Sequence, residues 1–211
     1  MEDASPDERP TQQREYSGPG STLGLAALIV LVVVALFWFY ELRGDSTSVP
    51  SVEGIGVIPL ADELNPTGQA PAARVGRAAP NFKLTTPAGE TVELTDLRGK
   101  YVLVNFWATW CGPCRAETPD LQRFFTEHPT GFSIIGVNQQ ESAEVAAAFA
   151  EDFDVTYPIA LDLTGAVNTA YRVSTGLPIT FLIDPEGVIV DIVIGRVLQS
   201  NLDEYAETYP F

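Results

Sequence analysis

Three hydrophobic patterns divide the chain. Residues 23–40 (LGLAALIVLVVVALFWFY) are apolar on every side and uncharged. At ~1.5 Å rise per residue these 18 residues cover about 27 Å of a roughly 30 Å hydrocarbon slab, which predicts one membrane-spanning helix with Trp38 and Tyr40 at its interfacial end. The run is long for the core of a cleaved leader, its preceding segment is acidic, and no small-x-small site follows Tyr40, so an uncleaved anchor is expected. Residues 1–22 read as a polar tail and 41–75, rich in Gly, Pro, Ser, Thr and Ala without a sustained period, as a flexible linker. Inside that linker the apolar patch 54–60 (GIGVIPL) fits either a short docking strand or a local contact.

From residue 76 to 211 the pattern is that of a compact α/β domain. Two hairpins are predicted, 82–84 with 91–94 around Pro87-Ala88-Gly89, and 179–184 with 188–194 around Pro185-Glu186-Gly187. The apolar run Tyr101 to Trp107, broken only by Asn105, reads as a buried strand and 132–137 (FSIIGV) as its successor. The helical stretch between them makes a strand–helix–strand unit, so the two strands should be parallel. Pro119 should kink that helix one turn in. Ser142 is placed to cap a helix over 143–152 with Val145, Ala148, Phe149 and Phe153 on one face. A short strand at 159–161, a short helix at 166–171 and a closing helix at 202–209 complete the reading.

The chain's two cysteines, Cys111 and Cys114, follow the first buried strand and enclose Gly112 and Pro113. Pro113 suits the first turn of a helix, where its missing N–H costs nothing, so Cys111 is expected at a helix N-terminus. There the macrodipole and free N–H groups favour a thiolate, the species a thiol–disulfide exchanger needs. Structural zinc would require about four ligands, and His128 is the single histidine. Haem attachment would require His at position 115, which is Arg115. A purely structural disulfide remains the bland alternative, although such bridges usually close longer loops.

With WCGPC at a strand-to-helix turn and a late proline before a strand, the domain resembles the thioredoxin superfamily, and within it the membrane-anchored TlpA/ResA-like branch of thiol-disulfide oxidoreductases (AhpC/TSA-Redoxin-like domain). Four stretches carry the resemblance: GRAAPNFKLTTPAGETVELTDLRGK, FWATWCGPCRAETP, the helix-bearing insertion at 139–157, and GLPITFLIDPEGVIV. It implies a thioredoxin-like fold, a central mixed β-sheet flanked by helices with an N-terminal hairpin and an inserted helix, preceded by the transmembrane helix. It also implies that Cys111 is an exposed nucleophile and that Cys114 resolves the mixed disulfide, the redox-active disulfide taking the place of any cofactor. Pro178 would be the cis-proline facing the cysteines, with Leu177 offering backbone hydrogen bonds to an extended client. Trp110, Gly112 and Pro113 would meet that client. Thioredoxins proper carry a buried Asp six residues before the first Cys, where this chain has Asn105. Asn cannot shuttle a proton; Glu117, one helical turn beyond Cys114, supplies a carboxylate in the TlpA/ResA-like pattern CxxCxxExP. Its bland reading is a first-turn Glu that complements the helix dipole.

A net charge of −16 without a long basic run argues against nucleic acid as a partner. Arg9 and Arg14 before the apolar run and Arg43 after it give only a slim bias towards an inside N-terminus; it is the resemblance that implies an extracytoplasmic catalytic domain. The resemblance then implies client proteins with disulfides, for example apocytochrome c or copper-site assembly factors, and an electron donor thiol protein in the membrane. The alternatives are a disulfide oxidant or isomerase, and a copper carrier or client-binding protein. The latter lacks the added histidine and wider Cys spacing that copper carriers on this fold tend to have. A peroxiredoxin is disfavoured, because Ala108 stands where the Thr three residues before the reactive Cys is expected.

Overall fold

The computed structural model describes residues 20–42, 54–174 and 176–209, which belong to two units, 1–49 and 50–211. In the first unit α1 spans Gly20–Leu42 and covers the expected run Leu23 to Tyr40. Side chains are described for its residues 24–36; the large apolar ones, from Leu25 to Leu36, are all exposed. Among the described residues no helix is long and apolar enough to cross a membrane. The expected span extends beyond these side chains, and the tail at 1–19 and the linker at 43–53 lie outside the described residues.

The second unit is built on one sheet. In chain order its elements are β1 (Gly56–Val57), β2 (Phe82–Thr85), β3 (Thr91–Glu93), β4 (Tyr101–Trp107), α2 (Gly112–Glu127), β5 (Phe132–Gln139), α3 (Ala143–Asp152), β6 (Ile159–Asp162), α4 (Ala166–Ala170), β7 (Ile179–Ile183), β8 (Ile189–Ile194) and α5 (Gln199–Thr208). The strands lie in the order β1-β2-β6-β5-β4-β7-β8, with β3 paired to β2. Only β4–β5 and β5–β6 are parallel; the remaining pairs are antiparallel, among them the two expected hairpins β2–β3 and β7–β8. This is the mixed sheet of a thioredoxin-like fold.

Strand β4 shows why an apolar run without alternation forms a strand here. Both of its faces are covered, and its side chains alternate between two cores. Val102, Val104 and Phe106 enter a cluster with Phe82, Tyr171 and Phe181. Leu103 points the other way, into a cluster with Leu121 and Phe124 of α2 and Phe132 and Ile134 of β5. Asn105 has the same parity as Leu103, which turns its carboxamide towards α2. Gly136 of β5 allows the sheet to close around Trp107: a Cβ there would lie 2.9 Å from the indole Nε1.

Two expectations are corrected. Part of the supposed linker belongs to the sheet, because Gly56 and Val57 pair with Lys83 and Phe82, which decides the 54–60 patch in favour of a docking strand. The buried face of α3 is carried by Ala146 and Phe149, with Ala143, Ala150 and Phe153 packed against the same cluster. Val145, expected inside, is exposed. The positions 143, 146, 149, 150 and 153 form one stripe at helical spacing, and the large ring of Phe149 settles it against Trp107, centroids 4.4 Å apart. Helix α2 runs on through Pro119.

Candidate active site

The site forms where β4 ends and α2 begins. Cys111 is the N-cap of α2, and its Sγ accepts the Cys114 backbone N–H at 3.2 Å. Pro113 sits in the first turn, as its missing donor requires. Cys111 and Cys114 form a disulfide with Cα atoms 5.2 Å apart. One expectation fails: Cys111 is not exposed in this oxidised form but only 4 % accessible, packed with Cys114 and Trp107 while Leu177 closes on the cluster. The access is provided by its neighbours, since Gly112 and Pro113 are exposed and Trp110 is 70 % accessible. Leu177-Pro178 is a cis peptide. Among the described residues no hydrogen bond engages the backbone N–H or C=O of Leu177, so both remain available beside the disulfide.

Glu117 lies one turn after Cys114 and is 1 % exposed. Its Oε1 accepts from Asn105 Nδ2 at 2.7 Å and its Oε2 from the Val197 N–H at 2.7 Å. Asn105 also donates to Thr180 Oγ1 at 2.9 Å. Burial drives the Glu117 pKa up to about 7, against the opposing hydrogen bonds from Val197 and Asn105. The carboxyl therefore changes protonation near neutrality, where thiol exchange runs. Its charge also helps to raise the pKa of Tyr157, for which burial is the larger cause.

Two supporting contacts escaped the sequence. Asn105, read only as a departure from the thioredoxin pattern, is the partner of Glu117; strand parity would have revealed that it faces α2. Glu141 clasps the loop before the cysteines, its Oε2 accepting from the Thr109 N–H at 2.9 Å and its Oε1 from the Thr109 hydroxyl at 2.6 Å. The Asn138 carboxamide donates to the same carboxylate at 2.7 Å. Arg115 lies over Phe149 and Phe153, 5.5 and 4.9 Å from the ring centroids, and points Nη1 at the Thr109 carbonyl. His128 caps the far end of α2 against Phe124. Among the described residues no cluster suited to a metal ion is present.

Residues 75–192 match the model of the AhpC/TSA family. The chain belongs to that family. Among its AhpC/TSA relatives, the thiol-disulfide oxidoreductase ResA of Bacillus subtilis is 41 % identical over 131 residues, 62 % of this chain and 73 % of that protein. The thioredoxin-like protein YneN of Bacillus subtilis is 39 % identical over 132 residues, 61 % of this chain and 76 % of that one. A solved neighbour, a thiol:disulfide interchange protein DsbE from Chlorobium tepidum, superposes with a TM-score of 0.61 at 28 % identity, covering 65 % of this chain and 99 % of its own. This family member is thus a thiol-disulfide oxidoreductase of the ResA/DsbE type, with its cysteine pair at disulfide distance.

Proposed function

We propose that the protein is a membrane-anchored, extracytoplasmic reductase of client protein disulfides. The observation that carries the chemistry is the Cys111–Cys114 pair at the N-cap of α2, with the buried Glu117 one turn behind it. In the reduced protein the Cys114 N–H that now meets Cys111 Sγ stabilises a Cys111 thiolate, together with the positive end of α2. The thiolate attacks one sulfur of the client disulfide, forming a mixed disulfide and expelling the first client thiolate, which takes up a proton. Glu117 accepts the proton of the Cys114 thiol, and the resulting thiolate attacks Cys111 Sγ. That step closes the protein disulfide and releases the second client thiolate, which is protonated in turn. Two electrons have then passed to the client. Exposed Trp110, Gly112 and Pro113, and the unpartnered backbone of Leu177 before Pro178, form the surface that holds the client as an extended strand.

Anchoring is supported by the uncharged run 23–40 and by α1, whose described large side chains are apolar and exposed; in water that arrangement is costly, in lipid it is not. An extracytoplasmic domain cannot be recharged by a soluble cytosolic reductase, so a membrane thiol protein supplies the electrons. Apocytochrome c haem-site cysteines or the copper-site cysteines of oxidase assembly factors are clients of suitable chemistry.

The test is the reduction potential of the full chain in dithiothreitol and glutathione buffers, paired with trapping. A value near about −270 mV or below is expected, whereas one near about −120 mV would identify a disulfide donor instead. Cys114→Ser should accumulate mixed disulfides with its clients. Cys111→Ser should abolish insulin reduction, a loss on the order of a thousandfold or more, and retained activity there would refute the proposed nucleophile.

A further inference from the structure

Nine arginines and lysines lie within residues 54–209 of this chain of net charge −16, and seven of them are engaged. Arg123 and Arg196 pair with Asp120, and Lys83 with Glu93. Arg77, Arg98 and Lys100 donate to backbone carbonyls, and Arg115 covers two aromatic rings. The guanidinium groups of Arg74 and Arg172 have no hydrogen-bond or ion-pair partner among the described residues, and both residues are exposed. These two line one cavity of about 280 Å³ together with Arg77. Arg172 also lines the neighbouring cavity of about 500 Å³, with Gln140, Asn168 and Ser174 in its wall. Asn168 is 4 % exposed, and neither its carboxamide N–H₂ nor its carboxamide oxygen has a partner. No acidic side chain lines either cavity; Asp162, fully buried in the same turn, has Oδ2 occupied by the Asn168 backbone N–H.

The place of these cavities gives them a use. The larger opens at the carboxyl ends of the parallel strands β5 and β6, beside β4, whose own carboxyl end leads to Cys111, and it shares Arg172 with the smaller. Arg172 and Ser174 begin the segment that ends in Leu177 and Pro178. Leu177 lies five positions after Arg172, so at ~3.3 Å per residue the two lie at most about 17 Å apart. An extended client bound at Leu177 would bring residues up to about six positions from its reacting cysteine within reach of Arg172.

We infer that the paired cavities around Arg74, Arg77 and Arg172 form a client subsite for a carboxylate, an Asp or Glu side chain flanking the attacked disulfide. The inference rests on the client-reductase reading above. A forked guanidinium matches a carboxylate in geometry, and the Asn168 N–H₂ adds a neutral donor. The subsite explains how a strongly acidic protein holds an acidic client segment at one place while the rest of its surface repels it.

The test uses pre-reduced full-chain protein and two cyclic disulfide peptides identical except for Glu or Gln at positions three to six from one cysteine. At low salt the Glu peptide should be reduced about tenfold faster in second-order rate constant than the Gln peptide. Arg172→Gln should cut that ratio to about twofold, Arg74→Gln to an intermediate value, and both should leave the Gln-peptide rate unchanged. The overall charge acts in the opposite direction, so a Gln preference in the unmodified protein, or a Glu preference that survives both substitutions, overturns the subsite. In parallel, binding of the linear peptides with Ser for Cys is measured by calorimetry. Reduction of both peptides without a Glu preference in rate or binding overturns the subsite alone. A Glu preference in binding with neither peptide reduced supports the subsite and overturns the reductase reading.

Discussion

Glu117 and Asp162 are both fully buried carboxyl groups, 1 % and 0 % exposed, yet they are held in opposite ways. Asp162 is served by its own turn: its Oδ2 accepts from the backbone N–H of Asn168, six residues on. Glu117 is held by parts of the chain far from it, Asn105 on β4 and Val197 before α5, 12 and 80 residues away. Burial raises both pKa values, with hydrogen bonds opposing it. Asp162 holds its own turn through Oδ2, while its buried Oδ1 has no hydrogen-bond partner among the described residues. A carboxyl held by three elements one helical turn from the disulfide is the arrangement on which the proposed proton transfer from Cys114 rests.

The sharpest way to break this comparison is to remove the Glu117 charge. The folded protein holds the Glu117 proton up to about pH 7, whereas the unfolded chain releases it near 4.5. Over that interval the folded state binds more protons, so its stability falls as pH rises, by about 3 kcal/mol in total. Urea unfolding of the oxidised protein at pH 5 and pH 8 should show that loss, and Glu117→Gln should remove most of it. The same variant should slow insulin reduction at pH 7 by about tenfold or more and flatten its pH profile. An unchanged slope and profile would reduce Glu117 to a packing residue.

Asp162→Asn should do the reverse. Weakening the charge-assisted bonds to the turn before α4 should cost about 2 kcal/mol in urea, while the reduction potential and the pH profile of insulin reduction stay as in the unmodified protein. A shifted potential would join the two carboxyls into one functional unit and dissolve the contrast.

The sequence revealed those features whose signal is local. Tyr101 to Trp107 reads as a strand because both faces are buried, the hairpins are marked by Pro-Ala-Gly and Pro-Glu-Gly, and Cys111 to Cys114 carries its chemistry within four residues. What it concealed depends on contacts between distant positions. Gly56 and Val57 have no period of their own, and only the partner strand makes them a strand. The face of α3 is chosen by Trp107, not by the helix's own pattern, since an alanine-rich helix offers several weakly apolar stripes. The exposure that the resemblance implies for Cys111 is not seen in the oxidised form, where Trp107, Cys114 and Leu177, 66 positions on in the sequence, share its cluster. The convergence of Arg74, Arg77 and Arg172 is likewise invisible along a chain that separates them by nearly half its length.

The smallest and most discriminating change is at Asn105, where the alternation of β4 meets the carboxyl of α2. Asn105→Leu keeps the branching at Cγ, with a bulkier side chain, but removes one of the two hydrogen bonds that hold the Glu117 pKa down. Burial then acts with less opposition, and the midpoint of the pH-dependent stability should move upward, by less than about one unit for the loss of one such bond. Insulin reduction at pH 7 should fall only a fewfold, because the carboxyl remains in place but gives up its proton less readily. In the double variant with Glu117→Gln the Asn105→Leu effect on the pH profile should vanish, since nothing is left to titrate. Independent effects in that double-mutant cycle would separate Asn105 from Glu117 and leave its bond to Thr180, at 2.9 Å, as its sole role.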